Sequence, residues 1–279
     1  MPVLSTPADD ASELRLMVRY GEIGENGVAT LPALGNWLQE AAGRNADALG
    51  FGEKALLAYN LTWVLTRLAL RIARLPRAGE ELCIHTWPST MDRFGHRGYK
   101  VYDASGGLIA TGSSAWSVME LSSRSMARLP AALAPKYPAA PRPCETFSCR
   151  VIPRLRPEEA SSCPLRVRRD DLDINGHVNN TRYLAWILET LPPAPALLNG
   201  WREPLTPRMV DITFRAESFP QEELACLCAP AEAPESAPKS VLGLPAPCAR
   251  LHSIQRNSDR SEVCRALTLW EQPPEKEGS

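Results

Sequence analysis

A polar segment in the second half of the chain combines three residue types that can act together on a reacting group. Asp173, Asn175 and His177 stand at alternate positions, just before a run of residues with helical spacing. A carboxylate, a carboxamide and an imidazole near a helix N-terminus supply hydrogen-bond donors and partial positive charge where a carbonyl oxygen gains negative charge. The pattern therefore favours a catalytic site that acts on a carbonyl group.

The same segment also fits the opening of a calcium-binding EF-hand loop. Asp171, Asp173 and Asn175 would be the first ligands, and Gly176 would occupy the sharp turn at the sixth position. The twelfth position of such a loop holds a bidentate glutamate, but here it is Arg182, whose charge would repel the ion. We therefore expect no metal in this loop.

A third interpretation of the segment is structural. Asparagine is a favoured N-cap of helices, and either Asn179 or Asn180 would serve here. Capping accounts for one or two of the polar residues but leaves Asp173, Asn175 and His177 unexplained. The catalytic interpretation is the one that uses all three.

An internal repeat allows the segment with these three residues to be compared with its counterpart in the first half of the chain. When each residue is set beside the one 149 positions later, the identical pairs include Val18 with Val167, Asn26-Gly27 with Asn175-Gly176, and Trp37 with Trp186. In this alignment Gly24 and Val28 take the places of Asp173 and His177. Only the second copy carries the carboxylate and the imidazole, which favours a chemical role over a folding role.

The elements around the repeat predict an α+β fold of duplicated halves. In the first half a strand, Leu14 to Tyr20, precedes a long helix that begins after Thr30 and ends before Gly50. The strands expected after this helix are 62–72, 81–87, 98–103 and 108–121. In the second half the helix is expected to end at Pro192-Pro193, before strands at 209–216, 223–228, 249–256 and 262–270.

The expected organisation is a first domain at 13–128, a linker at 129–160 and a second domain at 161–271. The linker is rich in proline, and a composition of this kind predicts a segment that crosses the surface without regular structure. A Pro- and Ala-rich insertion at 229–247 and a tail at 272–279 are expected to be flexible.

Composition excludes several classes of partner and location. The 279 residues carry a net charge of −1, with 44% hydrophobic and 23% charged residues, as in globular proteins. We therefore expect no nucleic-acid partner and no membrane span.

The start of the chain and its cysteines bear on location. The chain start lacks a secretory pattern, and the eight scattered cysteines form no CxxC, so reduced thiols and a cytoplasmic location are expected. No cofactor is implied; Cys226 and Cys228 lack zinc-ligand spacing.

The segment from Asp171 to Glu189 resembles the most distinctive stretch of the acyl-acyl carrier protein thioesterases. The resemblance extends over about residues 13–270 and includes 37–40, 62–67, 114–119 and 214–218. It implies a tandem double hotdog fold, each half a long helix wrapped by an antiparallel sheet. It also implies hydrolysis of fatty acyl-acyl carrier protein, with release of the fatty acid and the carrier protein.

The resemblance also assigns candidate catalytic residues. Asp173, Asn175 and His177 fall on the family's Asp-x-Asn-x-His motif, and Glu217 falls on its catalytic glutamate. In plant members a cysteine follows this glutamate, whereas here the residue is Ser218. This departure favours a mechanism based on a carboxylate and water.

Roles follow from the chemistry of thioester hydrolysis. Glu217 is expected to be the general base or the nucleophile, and His177 to position water or substrate. Asn175 and the backbone amides near Val178 are expected to hold the thioester carbonyl. Asp173 is expected to fix the side chains of Asn175 and His177. His85, His96 and His252 are expected to be structural or surface residues.

The remaining expectations concern the acyl chain and its carrier. The chain should lie between helix and sheet of the first half, where Leu34 or Leu38 would influence its length. An acidic carrier protein would dock on basic residues, either Arg67, Arg71, Arg74 and Arg77 or Arg166, Arg168 and Arg169. An acyl-CoA thioesterase and a non-catalytic acyl-binding protein remain alternatives, and a homodimer remains open.

Overall fold

One continuous antiparallel sheet runs through both halves of the protein. The computed structural model describes residues 11–138, 143–144, 147, 149–191, 206–234 and 248–271. The first half contributes β1 (Ser12–Met17), β2 (Leu61–Ile72), β3 (Glu81–Met91), β4 (Gly95–Asp103), β5 (Leu108–Glu120) and the short β6 (Met126–Ala127). The second contributes β7 (Ser161–Arg166), β8 (Thr206–Phe214), β9 (Glu223–Ala231), β10 (Cys248–Arg256) and β11 (Glu262–Glu271).

The strand order shows how the halves are joined. It runs β1-β3-β4-β5-β2-β8-β11-β10-β9-β7, with β6 on β5, so the order in the second half is the reverse of that in the first. The halves meet where β2 pairs with β8, with Ala69 opposite Asp211. The expected α+β architecture of two hotdog halves is confirmed. The short strand β6 was not anticipated, and most other strand ends differ from expectation by a few residues.

The long helix of the first half, α1 (Leu31–Leu49), has the expected ends. The Thr30 hydroxyl oxygen accepts a hydrogen bond from the Ala33 amide at 3.2 Å. Gly50 adopts a φ of 79°, a left-handed conformation that glycine tolerates and that stops the helix. One face of α1 is buried against the sheet.

The second-half helix, α3 (Asn180–Trp186), is shorter than expected. Asn179 caps it, accepting from the Thr181 amide at 3.0 Å, but the chain tightens into a 3-10 turn at Leu188–Thr190. The Thr190 hydroxyl donates to the Ile187 carbonyl at 2.8 Å, and such a bond competes with helical pairing. The expectation of a helix reaching Pro192-Pro193 was wrong, and those prolines lie outside the described residues.

Helix α3 crosses α1 at a glycine. A Cβ atom on Gly35 would lie 2.9 Å from Leu184 and 3.0 Å from Thr181, so a side chain there would collide with α3. The Thr181 hydroxyl donates to the Asn36 carboxamide oxygen at 3.0 Å beside this contact. The second half is thereby held against the helix of the first. A short helix α2 (Glu53–Leu57) follows α1.

The internal repeat appears in the backbone as well as in the sequence. The amide of Gly24 donates to the Val28 carbonyl at 2.9 Å, and the amide of Asp173 donates to the His177 carbonyl at 2.7 Å. An isolated bridge joins Ile23 to Ala29, and an equivalent bridge joins Leu172 to Val178, each residue 149 positions later. The two halves therefore build the same loop before their helices with different side chains.

The proline-rich connection is packed more tightly than its composition predicted. Leu133, Tyr137, Ile152 and Leu155 are buried, and the Tyr137 hydroxyl donates to the His96 carbonyl at 2.8 Å. Proline prevents regular pairing but does not prevent apolar side chains from packing. Most of the 229–247 insertion and the 272–279 tail lie outside the described residues. None of the described helices is sufficiently long and apolar to span a bilayer.

An ion pair at the junction of the halves provides the first prediction. Arg67 on β2 holds both carboxylate oxygens of the fully buried Asp211 on β8 at 2.8 Å, and its guanidinium also donates to the Cys149 carbonyl. Replacing Asp211 with Ala leaves the Arg67 charge without its carboxylate, so we expect a loss of about 3 kcal/mol in the free energy of unfolding. Urea denaturation measures this loss.

The exposed pair Arg44–Glu40 on α1 provides the matched control. Its side chains are 65% and 56% exposed, so Glu40→Ala should change the unfolding midpoint little. Equal effects of the two substitutions would contradict the assigned importance of the junction pair.

Candidate active site

The loop before α3 is shaped by the carboxylate of Asp173. Its Oδ1 accepts hydrogen bonds from the backbone amides of Asn175 at 2.8 Å and His177 at 3.3 Å. Gly176 completes the turn with a φ of 77°. Asp173 thus fixes the backbone that carries the other two residues. Among the described residues, the Asp173 carboxylate makes no hydrogen bond to the side chain of Asn175 or His177, although such a contact was expected.

His177 stands between an aromatic ring and an acid. Its ring packs edge-on against Phe219, with centroids 5.2 Å apart, and its Nδ1 lies 3.7 Å from Glu217 Oε1. Burial lowers the pKa of His177 below 6.5, and the positive charge of Arg124 lowers it further, while Asp173 opposes the shift. The imidazole is therefore neutral at neutral pH.

Glu217 is held from two directions. It lies just beyond the end of β8, and its carbonyl accepts a hydrogen bond from the Arg256 guanidinium. Its carboxylate is bound by Arg124 Nη2, which reaches it from the turn after β5 in the first half. Arg124 has a φ of 57°, the left-handed region that non-glycine residues rarely adopt. A guanidinium from one half therefore orients the carboxylate of the other.

Two of the backbone amides expected to hold the thioester carbonyl, those of Val178 and Asn179, are already hydrogen-bonded. The Val178 amide donates to the Ser218 carbonyl at 3.0 Å, and the Asn179 amide donates to the Asp171 carbonyl at 2.8 Å. These bonds tie the start of α3 to the segment that carries Glu217. The carboxamide of Asn175 has no side-chain partner among the described residues, so it is the group free to bind a carbonyl oxygen.

A cavity of about 450 Å³ opens beside these groups. Asp173, Asn175, His177, Glu217 and Arg124 lie on its wall, so the structure brings all four predicted site residues together with one that was not predicted. Val178 and Asn180 of the second half also line it. The rest of the wall comes from the first half, between α1 and the sheet, and includes Gln39, Ala42, Ala46, Val64, Leu65, Trp116 and Met119.

Two expectations about the first half require correction. Leu34 and Leu38 are buried in the core and do not line the cavity, because the cavity faces the side of α1 that carries Gln39, Ala42 and Ala46. His96 does line the cavity, although no sequence pattern distinguishes it from the other histidines. Helical periodicity identifies a buried stripe but does not show which part of it borders a void.

Two site residues were missed by the sequence analysis. Arg124 lies 93 positions from Glu217 in the other half, and no local pattern connects them. Phe219 follows Ser218, and an aromatic residue two places after the predicted glutamate was a weak signal. Ser218 itself is fully buried and does not line the cavity.

Both halves of the chain match domains of one protein family. Residues 12–137 match the acyl-ACP thioesterase N-terminal domain, and residues 155–272 match the acyl-ACP thioesterase C-terminal domain. The oleoyl-acyl carrier protein thioesterase of Coriandrum sativum is 28% identical over 94% of this chain and 77% of its own length. An oleoyl-acyl carrier protein thioesterase of Arabidopsis thaliana is 32% identical over 64% of this chain and 53% of its own length.

Solved structures share the fold. An acyl-ACP thioesterase of Bacteroides thetaiotaomicron superposes with a TM-score of 0.76 at 27% identity, covering 94% of this chain and 98% of that one. The 12:0-ACP thioesterase of Umbellularia californica has a TM-score of 0.77 at 22% identity, covering 94% of both chains, which shows the fold alone.

The double hotdog fold and the domain matches define the class of the protein as a thioester hydrolase. Both of its halves are matched in order, and together the matches span most of the chain. The chain belongs to the acyl-acyl carrier protein thioesterase family.

The free carboxamide of Asn175 leads to a prediction. Asn175→Ala removes one donor to the developing oxyanion, so kcat should fall about 100- to 1,000-fold while the fold is kept. Ile174→Ala is the matched control, since the neighbouring side chain is 92% exposed and lies outside the cavity wall. Steady-state kinetics with a thioester substrate decide the matter, and Asn175→Ala activity within threefold of the unmodified protein would exclude the role.

The charge of Arg124 leads to another prediction. Because Arg124 helps to lower the pKa of His177, Arg124→Met should move the His177 titration midpoint upward, while burial still lowers it. Arg124→Lys keeps a positive charge there and should leave the midpoint near that of the unmodified protein. NMR of the imidazole protons, assigned with a His177 variant, measures both. An unchanged midpoint in Arg124→Met would show that the two groups do not interact.

Proposed function

We propose that the protein hydrolyses the thioester of fatty acyl-acyl carrier protein and releases the fatty acid and the carrier protein. The observation that carries this proposal is one cavity lined both by apolar side chains of the first half and by the polar groups of the second half. An acyl chain requires the apolar wall, and its thioester requires the polar groups. The names of the related enzymes give the carrier.

The catalytic step is assigned to Glu217 and a water molecule. The carboxylate accepts a proton from water as the water oxygen forms a bond to the thioester carbon. The carbonyl oxygen becomes an oxyanion and receives a hydrogen bond from Asn175. The C–S bond then breaks, the electrons pass to sulfur, and the thiolate takes up the proton. Little assistance is needed at sulfur, since a thiol has a pKa of about 8.5.

The other groups act through these two. Arg124 holds the Glu217 carboxylate on the wall of the cavity, where a water molecule can reach it. His177 is neutral and lies 3.7 Å from Glu217, so it can hydrogen-bond the same water molecule and help to position it. Asp173 fixes the loop backbone that presents His177. Direct attack by Glu217 on the thioester is the alternative route from the same geometry.

A carrier protein would dock near the catalytic loop. Arg67 is engaged by Asp211, and Arg74 pairs with Glu80 and with Asp103 at 2.8 and 2.9 Å, so these two arginines are occupied. Arg168 and Arg169 are exposed beside the loop and are the better candidates to meet an acidic partner. A cytoplasmic location and a homodimer stay predictions.

The test of this function compares carriers. We expect faster turnover of acyl-acyl carrier protein than of acyl-CoA with the same chain. Glu217→Gln should lower turnover roughly 100- to 10,000-fold for every chain length, because the amide cannot accept the proton. Ser218→Ala is the matched control and should change turnover little.

The outcomes separate the alternatives. Faster turnover of acyl-CoA would assign the protein to acyl-CoA hydrolysis, and binding without turnover of either substrate would make it an acyl-binding protein. Loss of nearly all activity in a folded Ser218→Ala variant would overturn the carboxylate mechanism.

A further inference from the structure

The cavity has a second polar feature away from the catalytic groups. Arg97 on β4 lies on its wall, and Arg97 Nη1 donates to Asn45 on α1 at 2.6 Å. Gln39, which also lines the cavity, is six residues earlier on α1, beside the turn that contacts α3. Six residues of helix span about 9 Å. Arg97 therefore contacts α1 about 9 Å along the helix from Gln39, away from the turn that packs against α3.

The Arg97 charge is buried among neutral partners. The residue is 5% exposed, and its two hydrogen bonds, to Asn45 at 2.6 Å and to Thr86 at 3.1 Å, both come from Nη1. Within the described ranges no carboxylate pairs with it, and Nε and Nη2 donate to no protein acceptor. Burial lowers its pKa, with Tyr99 and Tyr137 opposing the shift, but a guanidinium remains protonated.

These free donors have a consequence for any occupant of the cavity. A methyl-terminated chain that reached Arg97 would remove Nε and Nη2 from water and offer no acceptor in return. Leaving a buried donor unsatisfied is costly, and more so when the donor is charged. A chain of the same length that ended in a hydroxyl group would satisfy one of them.

We propose that Arg97 sets the far limit of the acyl cavity and is a specificity-determining residue. It disfavours methyl-terminated acyl chains long enough to touch the guanidinium and favours, at that length, chains with an oxygen at their distal end. The inference rests on the proposed function in one respect, that the occupant is an acyl chain.

A purely structural role for Arg97 makes a different prediction. Its bonds to Asn45 and Thr86 connect α1 to β3, so their loss alone would lower the unfolding temperature and leave chain preference unchanged. The test therefore needs a readout of chain length in folded protein. Arg97→Met removes the charge and keeps an unbranched side chain, and Arg97→Lys is the matched control that keeps the charge.

The probes are S-alkyl pantetheine thioethers of increasing chain length. They cannot be hydrolysed, and their polar arm keeps the alkyl chain directed into the cavity. Trp63 and Trp116 line the cavity, so intrinsic fluorescence reports binding without any need for turnover. A parallel series with a terminal hydroxyl group tests the distal end.

We expect affinity in the unmodified protein to rise with chain length and then fall at the length that reaches Arg97. At that length Arg97→Met should bind the methyl-terminated probe at least about tenfold more tightly, and Arg97→Lys should not. The hydroxyl-terminated probe should bind the unmodified protein about tenfold more tightly than its methyl counterpart. This advantage should disappear in Arg97→Met.

An unchanged length profile in folded Arg97→Met would overturn the proposal. So would equal affinity of both probe series for the unmodified protein, since a steric limit alone does not distinguish them. If the probes bind in the expected pattern but no acyl-acyl carrier protein is hydrolysed, the role of Arg97 is supported and the proposed function is rejected. If acyl-acyl carrier protein is hydrolysed but Arg97→Met leaves the chain preference unchanged, the proposed function is supported and the role of Arg97 is rejected.

Discussion

The structure depends on the close approach of α3 to α1 at Gly35. No side chain fits between the helices there, since a Cβ atom would lie 2.9 Å from Leu184. The contact holds the loop of the second half against the helix that borders the cavity, and the Thr181–Asn36 hydrogen bond fixes its register. If the helices stood farther apart, the polar groups and the apolar wall would belong to separate surfaces.

Duplication provided the same scaffold twice, and the two copies diverged in side chains. Each half builds the same bridged loop before its helix, with Gly24 and Val28 in one and Asp173 and His177 in the other. The backbone bonds in the first loop form without a carboxylate. The Asp173 carboxylate therefore adds further bonds to a loop geometry that the backbone already favours, and the second half could gain chemistry without a new fold.

Charge placement is the second organising feature. Arg124 comes from the first half and binds the carboxylate of Glu217 in the second, so the candidate base is oriented only when the halves are assembled. Arg97 lies elsewhere on the same cavity wall with neutral partners. Because a guanidinium is costly to bury without a carboxylate, its position on the wall is informative about the occupant.

The sequence determined the α+β class, the duplication and the ends of α1, and it singled out Asp173, Asn175 and His177 as candidates, because caps, periodicity and a local motif act over short distances. The candidate Glu217 came from the family resemblance. Only the tertiary structure decided what long-range contact controls: that Arg124 joins the site, that the Val178 amide is occupied, and that Leu34 and Leu38 face the core. A void forms where packing between elements is incomplete, and no local pattern encodes that position.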